Sequence, residues 1–191
     1  RAYSDSWVGA RGYQKPDGSW QRAVAFLGNL RTADGKERTE VFLVDIPERI
    51  DVPGDDGPLE GTETTFPMPP KGVHQRRLTH TEDRAHPGVF TEPRHWAASS
   101  RAGSGINFLA KDDHGGVQVF CVSPKGGDPR QVTHHDSSIQ STVCWHPDGD
   151  AIGYVCDNSI FVCDVREGPS FGRTRRVTRR TEKADDRHAV P

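Results

Sequence analysis

The sequence predicts an all-β protein made of four-stranded antiparallel sheets, repeated along the chain in the manner of β-propeller blades. Three observations lead there. A strand, turn, strand pattern recurs, clearest in GGVQVFCVSPKGGDPRQVT at 115–133 and STVCWHPDGD at 141–150. Each copy closes on an apolar residue and a threonine, Leu78-Thr79, Val132-Thr133 and Val177-Thr178, with the threonines 54 and 45 residues apart, the length of a four-stranded blade. Only 32% of the 191 residues are apolar, with 20 Gly and 14 Pro. That composition favours short strands, many turns and burial spread over flat sheets packed face to face.

Residues 1–22 carry Trp7, Trp20 and the turn signal Pro16-Asp17-Gly18 without a sustained period, and read as an irregular lead-in. Runs 24–30 and 39–46 flank Asp34-Gly35 as a hairpin. Between 47 and 72 the periodicity stops and six prolines appear, the mark of an extended surface insertion that supplies no sheet donors. It is expected to project on the face away from the candidate site as a second contact surface. QRRLT at 75–79 then closes an incomplete blade spanning 23–80. The blade at 81–134 holds strand-like runs 94–99, 105–111, 117–123 and 129–133, and the blade at 135–179 holds 141–146, 151–156, 160–165 and 174–178. Residues 180–191 start the next one. Inner runs such as VQVFCV and SIFVC are apolar at both parities, as strands covered on both faces require. Trp96 and Trp145 read as matching wedges between blades.

The formal charge of −2 provides no general pull toward nucleic acid or an anionic membrane. The densest basic run, Arg173, Arg175, Arg176, Arg179, Arg180 and Lys183, reads as a solvated outer strand whose charges discourage edge pairing rather than as a phosphate patch. No apolar run reaches the length that spans a bilayer. The chain starts at Arg1 without an initiator Met, so an upstream signal peptide stays open, and cytoplasm and periplasm with it. Cys121, Cys144, Cys156 and Cys163 sit in apolar runs without CxxC spacing and read as small buried hydrophobes.

His146-Pro147-Asp148-Gly149 resembles the first turn of the repeats in TolB-like six-bladed propellers. A longer set of segments resembles the YidR-like family of uncharacterised bacterial proteins over nearly the whole chain. These are Arg1-Ala2-Tyr3 with Trp7-Val8-Gly9, PLEGTETTFPMPPKGVHQRRLT at 58–79, PRHW at 93–96, SPKGGDPRQVTH at 123–134 and IQSTVCWHPDG at 139–149. The resemblance implies about two and two-thirds blades of a six-bladed ring, hence a fragment that depends on the remaining blades, and it carries no activity to transfer.

In a propeller, the loops joining one blade to the next and those between second and third strands share one face around the channel, where binding sites gather. The candidates there are His80, Asp83 and Arg84, then His134, His135, Asp136 and Gln140, then Arg179 and Arg180. His80 and His134 follow the closing Thr of successive units. They read either as caps on turn backbone or, with His135, as ligands to a divalent Mn or Zn ion. Oligogalacturonate lyases, propellers that hold Mn with histidines and a glutamine, are loosely similar through His95, His135, Gln140 and His146, although their closely paired histidines are absent. That resemblance implies a metal-dependent lyase or hydrolase acting on an acidic carbohydrate, held by Arg84, Arg179 and Arg180. No G-x-S-x-G elbow and no G-x-x-x-x-G-K-[ST] loop is present. The leading expectation is therefore a non-enzymatic propeller segment without a cofactor, binding a protein, peptide or saccharide through its channel face, with no nucleic-acid partner.

Overall fold

The computed structural model describes residues 1–92 and 97–179, all strand, turn and loop, with no helix among them. Strands follow in order as β1 (Ala2–Trp7), β2 (Tyr13–Gln14), β3 (Trp20–Gln21), β4 (Ala23–Arg31), β5 (Glu37–Asp45), β6 (His74–Arg77) and β7 (Ala98–Ser99). They continue as β8 (Ile106–Lys111), β9 (Val117–Val122), β10 (Arg130–Gln131), β11 (Cys144–Trp145), β12 (Ala151–Cys156), β13 (Ser159–Asp164) and β14 (Thr174–Arg176). Three four-stranded antiparallel sheets result, ordered β1-β4-β5-β6, β7-β8-β9-β10 and β11-β12-β13-β14, with β2 and β3 forming a separate small hairpin. None of these sheets closes on itself, and among the described residues no helix is long and apolar enough to cross a membrane.

The first sheet is complete, which corrects the expectation of an irregular lead-in and a missing strand. Residues 2–7 pair antiparallel with β4, Tyr3 opposite Leu27 and Trp7 opposite Val24, across a register shift between Tyr3 and Ser6. Ser4 lies in the left-handed region at φ 57°, so the strand bulges there and loses the alternation that would mark it in sequence. The proline-rich stretch is exposed, as expected, but it is not extended. It folds back on itself through a Pro53–Pro70 bridge, with Lys71 N donating to Val52 O (2.9 Å) and Met68 N to Pro58 O (3.0 Å).

The second sheet is the centre of the packing. Ile106, Phe108, Ala110, Phe120 and Val122 from one of its faces join Ala25, Leu27, Val41 and Leu43 of the first sheet. Leu109, Val117 and Val119 from the other face join Ile152, Tyr154, Cys156 and Phe161 of the third. Apolar residues at both parities of β8 and β9 therefore have somewhere to go, each large one contributing about 1.5–3 kcal/mol by leaving water. The third sheet departs from that pattern. On β13, Phe161 and Cys163 are buried while Ile160 and Val162 are each 40% exposed, so SIFVC is covered on one face only.

The cysteines also divide: Cys156 and Cys163 are buried, Cys121 is partly so, and Cys144 is exposed, correcting its reading as a buried hydrophobe. Trp96 lies outside the described residues. The position that matches Trp145, opposite Ile152, is Ser99, opposite Ile106, which corrects the expected pairing of the two tryptophans. The true counterpart of Trp145 is Trp7 of the first sheet.

Candidate functional site

Two crossing segments carry the chain from sheet to sheet, and they are built alike. Val89 N donates to Thr39 O of the first sheet (2.8 Å), and the next amide, Phe90 N, donates to Leu109 O of the second (2.7 Å). One sheet later, Ile139 N donates to Val117 O (2.9 Å) and Gln140 N to Val155 O (2.8 Å). Each crossing thus ties a third strand to the following second strand by adjacent amides, which fixes the angle between neighbouring sheets.

Each crossing starts from a polar cradle centred on the closing threonine. Thr79 Oγ1 accepts Val41 N (2.8 Å) and donates to the Glu40 carboxylate, which also receives Thr81 N (3.1 Å), Thr81 Oγ1 (2.6 Å) and Arg77 Nη2 (2.8 Å). Thr133 Oγ1 accepts Val119 N (2.9 Å) and donates to Gln118 Oε1 (2.8 Å), and the Gln118 amide also bonds His135 N (3.1 Å) and His135 O (2.8 Å). In the third sheet Thr178 Oγ1 accepts Ile160 N (2.9 Å), and Ser159 takes the place of the acid and amide. Glu40, Thr79, Gln118, Thr133 and Ser159 are fully buried, so these bonds form away from water, where leaving any one unmade is costly.

Of the residues singled out in the sequence, His80, Asp83, His134, Asp136, Gln140 and Arg179 are exposed on or beside the crossings. Arg180 lies outside the described residues. His134 Nδ1 receives the Gln131 side-chain amide (3.1 Å), and Gln140 Oε1 caps the Asp157-Asn158 turn through Asn158 N (3.0 Å). Arg84 lies over the Phe120 ring, Cζ 4.3 Å from its centroid, and donates to Lys111 O (2.7 Å), while its buried Nη1 has no hydrogen-bond partner among the described residues. His135 is committed to packing: its ring lies 4.7 Å from that of Phe161, and Nε2 shares a 2.8 Å hydrogen bond with the Tyr154 hydroxyl. Burial holds the His135 pKa below its usual value, opposed by Asp136 and reinforced by Arg176, and burial pushes the Tyr154 phenol well up. Among the described residues no three His, Cys, Asp or Glu side chains gather in a group that could hold a metal ion. The described donors near His80, His134 and His135 therefore do not fit a divalent ion as they stand.

The structure brings other residues together. β1 lies beside β7, and β7 beside β11. A cleft of about 420 Å³ opens among these first strands, lined by Asp5, Ser6, Ala97, Ala98, Thr142 and Val143. Farther along the same strands, toward the turns that join first to second strands, a second cleft of about 320 Å³ is lined by Trp7, Ser99, Arg101, Trp145, His146 and their neighbours. A third, of about 330 Å³, lies between the second and third sheets, with Cys121, Asp128, Arg130, Trp145, Glu167 and Phe171 in its walls. In this last cleft Arg130 lies 3.2 Å from the Phe171 ring centroid and pairs with Glu167 (3.0 Å).

Sequence reasoning missed Asp5 and Trp7 because both belong to a strand hidden by its bulge. The buried Glu40 was missed because an acid in a strand reads as solvent-facing. Its one signal is position: Glu40, Gln118 and Ser159 each directly precede an apolar residue and a phenylalanine, Val41-Phe42, Val119-Phe120 and Ile160-Phe161.

No protein-family model matches the chain. The chain is 44% identical over 172 residues to the uncharacterised protein YidR of Escherichia coli (strain K12), an alignment covering 88% of this chain and 38% of YidR. The chain is thus a homologue of YidR that spans about two fifths of that protein's length.

Proposed function

We propose that the three sheets are consecutive blades of a TolB-like propeller and that the chain acts as a non-enzymatic binding segment, taking a peptide, protein or saccharide where its first strands converge. The observation that carries this reading is the cleft of about 420 Å³ lined by β1, by β7 with the residue before it, and by the two residues that lead into β11, so that all three sheets contribute. Sheets tied by the same two amide bonds at each step turn by a similar angle each time, and first strands that adjoin one another mark the inner side of the arc. A cleft on that side gathers side chains from several repeats, the arrangement on which small-ligand sites are built. Asp5 and Ser6 supply polar groups there, and Ala97 and Ala98 leave room. The half-exposed far face of the third sheet, with Ile160 and Val162, is where a further blade of the same ring would pack.

Of the three histidines of the metal-dependent reading, His80, His134 and His135, only His135 is engaged through Nε2, which shares a hydrogen bond with the Tyr154 hydroxyl. The test is a paired peptide and glycan array probed with the chain and with Ala98→Phe, which fills the cleft. Retention of at least one probe class by the parent and its loss in the variant is expected. Retention of nothing, or retention that Ala98→Phe leaves unchanged, would contradict the reading.

A further inference from the structure

We infer that the proline-rich segment at 47–72 is a docking arm for a protein partner that offers an apolar pocket ringed by Lys and Arg, with Phe66 as the side chain that enters the pocket. None of the arm's residues lines the three clefts described above, so this is a separate surface from the one where the first strands converge.

The arm joins β5 to β6 with no strand between them, and a connection of that length in a compact domain is either disordered or functional. This one is held in shape. Besides the Pro53–Pro70 bridge, Thr62 Oγ1 accepts Thr65 N (3.0 Å) and Thr64 N (3.2 Å), and Thr62 N donates to Thr65 O (2.9 Å), closing a turn immediately before Phe66. Gly61 lies so close to the next stretch that a Cβ there would stand 2.8 Å from Pro67 Cδ. Pro67, Pro69 and Pro70 fix their own φ angles and restrict the residue before each. The backbone from Phe66 to Pro70 therefore has little freedom left to lose on binding.

On that arm Phe66 is 86% exposed. A single apolar side chain on a surface is ordinary, but an aromatic on a preorganised arm has the form of an interface anchor, which fills a pocket inside a polar rim.

The charge around Phe66 indicates what that rim must carry. Glu48, Asp51, Asp55, Asp56, Glu60 and Glu63 are all exposed, against Arg49 and Lys71, so the arm carries −4 in a chain whose total is −2. Among the described residues only Asp51 of the six is ion-paired, with Arg49 at 2.7 Å. The carboxylates do not gather into a group that could hold a metal ion, so among the described residues they act as a spread negative field. Such a field draws in a basic surface and repels nucleic acid and anionic membranes, which leaves a protein bearing Lys and Arg.

The test is selection from a displayed library of random short peptides on the immobilised full chain, followed by titration of the enriched peptides against the chain and its variants. The expected result is enrichment of peptides that combine Lys or Arg with apolar residues. Phe66→Ser should bind them at least tenfold more weakly, added salt should weaken them progressively, and Ala98→Phe should leave them unaffected. Phe66 is exposed, so Phe66→Ser should melt with the parent. Basic peptides bound equally well by Phe66→Ser would be held by charge alone and would overturn the inference, as would enrichment of neutral or acidic peptides or of none. Binding lost in Ala98→Phe but kept in Phe66→Ser would overturn it while supporting the reading of the first-strand cleft.

Discussion

The hydroxyl of Thr133 accepts the amide of Val119 at 2.9 Å, and in the preceding sheet Thr79 does the same for Val41 at 2.8 Å. A threonine that accepts a neighbouring strand's amide and donates to a buried side chain closes each of the first two sheets and starts the crossing to the next.

Removing that hydroxyl takes the acceptor from the buried Val119 amide and one of two donors from Gln118 Oε1, which keeps His135 N. Thr133→Val should destabilise the protein by about 1–3 kcal/mol, the usual penalty for buried groups left unpaired, whereas Thr133→Ser should be nearly neutral. Urea unfolding with an unchanged slope would measure it.

The first sheet carries a charge where the second carries an amide. Arg77→Met leaves the buried Glu40 carboxylate with hydroxyl and amide donors only, and should cost about 3–5 kcal/mol. Pairing it with Glu40→Gln should recover much of the loss, because Gln118 already fills the same place in the second sheet. A double-mutant cycle followed by thermal melts reads the coupling.

His135 makes stability depend on pH. Burial lowers its folded pKa below the ordinary imidazole value of 6.5, so the unfolded chain binds the proton more readily. Stability is therefore full above the unfolded value and falls as pH drops through 6.5 toward the folded pKa. Melts between about pH 8 and pH 5 should show this loss, and His135→Phe, which keeps an aromatic on Phe161, should remove that component.

The thiols should react unequally. Burial pushes Cys121 up to about 11 and Cys163 up to about 12, and raises Cys156, while Cys144 is exposed. Maleimide labelling of the native protein at neutral pH should modify Cys144 first, and denaturant should release the other three.

Much of the repeat was legible because its signals are local. The closing Leu78-Thr79, Val132-Thr133 and Val177-Thr178, the turns at Asp34-Gly35 and Asp148-Gly149, and the two-parity apolar run of β9 all depend on neighbours in sequence. What stayed hidden depends on tertiary contacts. β1 was concealed by the Ser4 bulge, Glu40 by a cradle whose donors arrive from residues 77–81, and the one-sided exposure of β13 by the question of which sheet lies beyond it. Of the expected site residues, His80, Asp83, His134, Asp136, Gln140 and Arg179 are exposed on or beside the crossings, while Arg84 and His135 are packed against rings. Two of the three clefts lie toward the opposite turns, since clefts form where sheets diverge and loop composition does not report that.

The arc itself is open to one direct measurement. His74, Asp128 and Arg173 are exposed and hold equivalent places at or just before the fourth strands of the three sheets. Spin labels placed there in pairs through a non-canonical amino acid give three distances by pulsed electron resonance. Consecutive blades of a six-bladed ring predict equal spacing for the two neighbouring pairs and an outer pair about 1.7 times as far apart. An outer distance about twice the neighbouring one, or two unequal neighbouring distances, would show sheets stacked in a line or irregularly and would contradict the account.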